Sequence, residues 1–215
     1  MTPRTLRTEL DAELRRELKA MGFVREVSLS YLRRRRDVTD VLRFHCRRTP
    51  DGGYRIAGVA GIAIDAIADL LESGSTNEGT VTPTVLTPFH FLHENRDYFE
   101  WPLDESHPVD QTVQSIVTEL EALVLPYFTA YGSVEAMRNA LAAPRPPECF
   151  VLSPQQQIIA LAALEHTFGS SEAAMRLLDE ALAELRDAPS KDRRAIESLR
   201  HRLGELGRAG VTAES

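Results

Sequence analysis

Apolar residues first recur at helical spacing, with Leu6, Leu10, Leu14 and Leu18 each four apart and Arg7, Glu9, Glu13, Arg16 and Glu17 off the stripe. The pattern predicts an amphipathic helix over Thr5 to Met21, stopped at Gly22. The period then changes from helical to two-fold. Phe23 to Leu32 reads as a strand, and Val41 to Arg48 alternates Leu42, Phe44 and Cys46 against Arg43, His45 and Arg47, the pattern of a half-buried strand. Pro50, Asp51, Gly52 and Gly53 make a turn into Tyr54 to Ile64, a strand apolar or small on both faces and therefore central in an antiparallel sheet.

A short helix is expected over Ala66 to Leu71 and an exposed loop over Gly74 to Gly79. Val85 to His93 and Tyr98 to Leu103 flank the polar run Glu94, Asn95, Arg96 and Asp97, which predicts a hairpin. Pro108 opens a long amphipathic helix carrying Val109, Val113, Ile116, Leu120, Leu123 and Val124, which Pro126 should kink or end because it lacks an amide donor. Ser133 is placed to cap a helix through Leu141.

Past this point the composition becomes helical. Residues 144–153, with Pro144, Pro146 and Pro147, read as a linker. Ser153, Pro154 and Gln156 form a capping signature for a helix to Phe168, Gly169 and Ser170 separate it from a second to Leu185, and a third, charged helix follows Pro189 and Ser190 to about Leu206. The Gly169 junction, with Ala174 and Ala181 behind it, resembles half of a tetratricopeptide hairpin, but no second copy follows, so plain helix packing is the reading adopted. The fold class is α+β: an antiparallel sheet flanked by helices over residues 1–143, a Pro-rich linker at 144–153, a three-helix array over 154–208, and a frayed tail at 209–215.

Charge changes the picture more than composition does. The net charge of −7 divides into +6 over residues 1–60, −11 over 61–153 and −2 over the remainder, so a continuous positive surface for nucleic acid is disfavoured. The two cysteines, Cys46 and Cys149, are far apart and outside any C-x-x-C spacing, which with the charged N-terminal pattern and the absence of a long apolar run points to a soluble chain in the reducing cytoplasm.

No P-loop, dinucleotide fingerprint, G-x-S-x-G or metal motif is present, so neither a catalytic residue nor a cofactor is assigned, and an enzyme of unrecognised type stays as an alternative. His90 and His93 are placed on a strand, where three-residue spacing sends them to opposite faces and argues against shared metal binding. Two charged segments remain as candidates. Glu94, Asp97, Glu100, Asp104 and Glu105, around Trp101, can form an acidic surface that steers a basic protein partner, although Trp101 as a core anchor is the favoured bland alternative. Arg33, Arg34, Arg35 and Arg36 imply an edge or hairpin tip; together with Arg43, Arg47, Arg48 and Arg55 they offer an alternative basic face for phosphate or nucleic acid.

Residues 1–141 resemble the bacterial family called domain of unknown function 4304. The resemblance lies in the helix ending at Met21, Gly22 and Phe23, the Tyr31 to Val38 strand and turn, and the strand pair around Val41 to Cys46 and Tyr54 to Ile64. It continues through the Trp101 segment and the run Leu125, Pro126, Tyr127 and Phe128 leading to Ser133, Val134 and Glu135. The Gly74 to Pro88 stretch is longer than that pattern, and the C-terminal helices lie outside it. The resemblance implies an antiparallel sheet flanked by helices, supplies no catalytic residue, and associates some relatives with immunity to bacterial toxins. The expectation drawn from all of this is a non-catalytic interaction module, an immunity protein that binds and neutralises a basic toxin domain, with no membrane partner.

Overall fold

The computed structural model describes residues 3–71, 80–185 and 191–213, with side chains described over 5–71, 80–185 and 193–206. Helix α1 (Pro3–Ala20) leads into strands β1 (Val24–Val27), β2 (Ser30–Arg34), β3 (Val38–Arg48) and β4 (Tyr54–Ile64). A 3-10 turn (Asp65–Ile67) and α2 (Ala68–Leu71) follow, then β5 (Val85–Pro88), a second 3-10 turn (Phe89–Leu92) and β6 (Trp101–Leu103). The rest is helical: α3 (Val109–Glu119), a π turn (Leu120–Val124), α4 (Leu125–Tyr131), α5 (Val134–Ala142), α6 (Pro154–Phe168), α7 (Ser171–Glu184) and α8 (Lys191–Ala213). The α+β class with an antiparallel sheet and C-terminal helices is as the sequence predicts.

All strand pairs are antiparallel, in the order β1-β2-β3-β4-β5, with β6 also on β4. The expected strand over Phe23 to Leu32 is instead a tight hairpin of β1 and β2, turning at Leu29, whose φ is 60°. The expected hairpin of 85–93 with 98–103 does not form. Both segments pair with β4, β5 along Val59 to Ile62 and β6 along Tyr54 to Ile56, and the chain between them leaves the sheet. The cause is Phe89, whose ring lies in the core against Gly58, where a Cβ would meet it at 2.8 Å. That ring stacks edge-on with Phe44 and Trp101, so burying it gains more than extending the strand.

Alternation assigns the two faces of the sheet. Tyr31, Leu42, Phe44, Ile56, Ala60 and Ile62 join the main core with α1, α3, α4, α5 and α6, so all the packed helices lie on one face. Leu32, Val41 and Ala63 form a separate small cluster with Val81 on the other. Leu10, Leu14 and Leu18 of α1 are fully buried, each contributing about 2 kcal/mol.

Two buried carboxylates fasten the helical layer. Asp11 of α1 accepts hydrogen bonds from the Tyr31 hydroxyl at 2.6 Å, the Leu29 amide at 3.1 Å and Arg25 at 2.7 Å. Asp40 has no exposed surface and is clamped by Arg33, its cross-strand partner, at 2.8 Å and by Arg35. Arg35 also donates to the Phe128 carbonyl of α4 at 3.1 Å, and the Arg33 guanidinium sits 4.8 Å over the Phe23 ring.

The long helix does not end at Pro126 but continues through it. A π turn precedes α4, with the Leu125 amide bonding the Leu120 carbonyl, so the bulge absorbs the position where proline lacks a donor. Residues 144–153 do not act as a linker between separate cores. Phe150 is buried against Tyr131 and Tyr127, and the Val151 amide donates to the Leu86 carbonyl at 3.1 Å. Proline restricts φ without conferring mobility, and here the run lays the chain along the sheet edge. The centre of α6 then buries Leu161, Ala163 and Leu164 in the main core and Ala162 in a second core with α7 and α8, fusing the three-helix array to the sheet. The capping box of Ser153 and Gln156 forms as expected, and α8 runs to Ala213, into the stretch expected to fray. The loop expected at Gly74 to Gly79 lies outside the described residues.

Removing the carboxylate in Asp40→Ala leaves two partly buried guanidiniums unpaired and should cost about 3–5 kcal/mol of unfolding free energy in urea melts. A second expectation concerns acid. Burial would raise the Asp11 carboxyl, but hydrogen bonds from Tyr31, Leu29 and Arg25 outweigh it and hold its pKa below the ordinary value of 3.8. A depressed carboxyl contributes stability above its unfolded pKa and loses it as pH falls through the folded one. The stability gap between wild type and Asp11→Asn should therefore be full near neutrality and narrow below about pH 4, read as urea midpoints across a pH series.

Candidate functional site

Three segments distant in sequence meet at one end of the sheet. They are the N-terminal half of α1, the β3–β4 turn at 51–53, and the loop from β6 into α3, and they enclose a groove of about 1030 Å³. The turn is closed by the Thr49 amide donating to the Gly53 carbonyl at 3.0 Å, and it nests against β6 because Gly53 has no side chain: a Cβ there would stand 2.9 Å from the Leu103 carbonyl oxygen. The β6–α3 loop is built on Asp104. Its carboxylate accepts from the Ser106 and His107 amides, each at 3.0 Å, and lies 2.9 Å from His107 Nδ1. Thr112 in the first turn of α3 donates to the Pro102 carbonyl at 2.8 Å, fixing the helix to β6.

The lining is acidic. Glu9 and Glu13, four apart on one face of α1, face Asp51, Asp104, Glu105 and Asp110, and among the described residues no lysine or arginine lines the groove. Leu6 and Val109 supply apolar surface within the groove. Internal neutralisation is partial: Arg16 pairs with Glu13 at 2.6 Å and Arg55 stands 3.9 Å from Asp104, whereas Asp51, Glu105 and Asp110 are exposed to solvent. The hydrogen bond to His107, with those from the two loop amides, holds the Asp104 carboxyl below the usual carboxylate range.

The acidic residues singled out in the sequence do not form one surface. Glu94 is exposed, and Asp97 accepts from the Asn95 side chain at 2.7 Å in the excursion between β5 and β6. Glu100 accepts from Arg47 at 2.8 Å and from the Tyr98 hydroxyl at 2.9 Å, so the protein's own arginine already engages it. Trp101 is 7% exposed and packs edge-on to Phe89 and Phe99, a core anchor and not a surface one. Only Asp104 and Glu105 reach the groove. The arginine run is divided in the same way, with Arg33 and Arg35 committed to Asp40 while Arg34 and Arg36 face solvent.

His90 and His93 lie on and just after the 3-10 turn instead of on a strand. His93 pairs with Glu119 at 3.1 Å, and the His90 ring centroid lies 5.1 Å from that of Tyr98. Among the described residues no three His, Cys, Asp or Glu side chains converge to hold a metal, and no helix is long and apolar enough to cross a membrane. Cys46 and Cys149 are free thiols, and burial pushes Cys46 up to about 11, leaving it a poor nucleophile at neutral pH. No family model, curated protein or solved structure matches the chain.

The groove residues that sequence reasoning missed are Glu9, Glu13, Asp51 and Asp110. The four-residue spacing of Glu9 and Glu13 was a readable signal of a shared face, but their convergence on Asp51 and Asp110 depends on tertiary packing. Asp104→Ala should leave the melt cooperative yet speed hydrogen exchange selectively at the Ser106 and His107 amides, which lose their acceptor; unchanged exchange there would show that the carboxylate does not order the loop.

Proposed function

We propose that the protein is a non-catalytic interaction module that receives a basic segment of a partner protein in the groove between α1, the β3–β4 turn and the β6–α3 loop. One observation carries this reading: six carboxylates line a concave space with no lysine or arginine among the described residues there. Walls of one charge sign focus field in a cleft and speed the approach of an oppositely charged partner, while the Leu6 and Val109 surface gives the aliphatic stems of lysine or arginine somewhere to pack. Keeping so many carboxylates close costs stability through repulsion, and a cationic occupant relieves it.

The resemblance to domain of unknown function 4304 supports a narrower form, in which the module is a bacterial immunity protein and the basic segment belongs to a toxin domain that it masks. The acidic segment expected to dock such a partner is retained in this reading through Asp104 and Glu105, joined by carboxylates of α1 and the β3–β4 turn. The basic face around Arg34 and Arg36 is the second reading, for phosphate or nucleic acid, and it predicts binding that weakens steeply with salt.

The test uses the product of the adjacent gene as partner. Co-purification and protection of growth on co-expression are expected, with an association rate that falls as salt rises. The triple variant Asp51→Lys, Glu105→Lys and Asp110→Lys changes exposed residues only, so it should fold normally while associating about tenfold or more slowly at low salt. A normal association rate for the folded variant would remove the groove from the interface, and the absence of both complex and protection would remove the immunity reading.

A further inference from the structure

Between β5 and β6 the edge of β4 loses its partner strand. Pairing to β5 begins at Val59 and pairing to β6 ends at Ile56, so among the described residues no strand lies beside Ala57 and Gly58 on that side. A pocket of about 190 Å³ occupies the gap, floored by Ala57, Gly58 and Val59 and walled by Pro88, His90, Tyr98 and Phe99. Phe89 closes it toward the core. It shares no residue with the acidic groove.

Tyr98 is the unusual member of this wall. It is 65% exposed, yet its ring is held at both ends, by its hydroxyl donating to Glu100 at 2.9 Å and by an edge-on contact with His90 at 5.1 Å. An aromatic ring fixed in place while mostly open to water is a stacking surface that pays no ordering entropy when a planar ligand arrives. Burial, with His93 nearby, lowers the His90 pKa, so that ring is uncharged at neutral pH and presents an aromatic face and a polar edge.

Arginines stand on the sheet face beside the pocket, of which Arg43 donates to the Val81 carbonyl and Arg47 to Glu100. Alternation along β3 puts Arg43, His45 and Arg47 on the sheet face away from the helices, and the register sets them directly across from Val59, Ala57 and Arg55. Two floor residues of the pocket thus have cationic or ionisable cross-strand neighbours. Arg47 and Arg55 are themselves directly opposed, an arrangement of like charges that is unfavourable alone; Glu100 bonds Arg47 at 2.8 Å and Asp104 stands 3.9 Å from Arg55, and the Arg47 side chain stays 67% exposed beyond its partner.

We infer that this gap in the β4 edge is a binding site for a small planar aromatic ring carrying an anionic group. The ring enters between Tyr98 and the Ala57–Val59 floor, and the anion lies toward His45 and Arg47. The volume of about 190 Å³ suits a single ring system of nucleobase or indole size, with the rest of the ligand, including its anionic group, outside the gap. The site is independent of the proposed partner groove and stands or falls without it.

The test is calorimetric titration of the full chain at low salt with two anionic rings, AMP and indole-3-acetate, and their uncharged counterparts, adenosine and indole. At least one anionic ring should bind, about tenfold more tightly than its uncharged counterpart. Tyr98→Ala should weaken that binding about tenfold and Arg47→Ala about threefold, both at exposed positions where the fold is retained and the melt unchanged. A single-stranded hexanucleotide distinguishes the source: competition with AMP assigns the site to a strand end, and its absence assigns it to a free small molecule. Failure of both anionic rings to bind at millimolar concentration, equal affinity for charged and uncharged rings, or binding indifferent to Tyr98→Ala would each overturn the inference.

Discussion

Strand β4 is the constraint on which the other elements depend. It pairs along its whole length with β3 on one side, and on the other with two short strands laid end to end. That division is forced by a side chain: Phe89 drives into the core over Gly58, pulls the chain out of the sheet, and obliges β6 to rejoin the same edge further along. Both candidate sites follow from this one event. Where the chain departs, a gap opens in the edge; where it returns, β6 meets the β3–β4 turn and delivers Asp104 and the start of α3 to the acidic groove.

Charge is sorted by depth as well as by position. Asp11 and Asp40, the carboxylates that leave solvent, are answered by Arg25 and by Arg33 with Arg35, and these pairs tie α1 and α4 to the sheet. A buried ion pair contributes little net free energy, yet breaking one is costly, so such contacts specify which helix sits where more than they add stability. The groove inverts that arrangement. Three of its carboxylates remain in solvent, and among the described residues no lysine or arginine lines it.

The arginine run shows why charge read along a chain misleads. Arg33 to Arg36 is the densest positive stretch, and strand alternation correctly separates Arg33 and Arg35 from Arg34 and Arg36, but the first pair turns inward to Asp40, seven and five residues on. The acidic stretch behaves alike: Glu100 is held by Arg47 and Trp101 is core, while Glu9, Glu13 and Asp51, from the third of the chain with net positive charge, help line the groove.

The sequence alone determined whatever depends on neighbours within a few residues. The leucine stripe of α1, the alternation of β3, the small-residue strand β4, the Ser133 and Ser153 caps and the helices after 153 all arise from local periodicity and hydrogen bonding, which a linear pattern records. Only the tertiary structure decided which strand Trp101 and Val85 pair with, that Phe89 governs the path of 85–103, that Phe150 seals the Pro-rich stretch onto the body, and that carboxylates from three segments share one groove. Those outcomes are competitions between contacts distant in sequence for the same buried space, and no local pattern encodes which competitor wins.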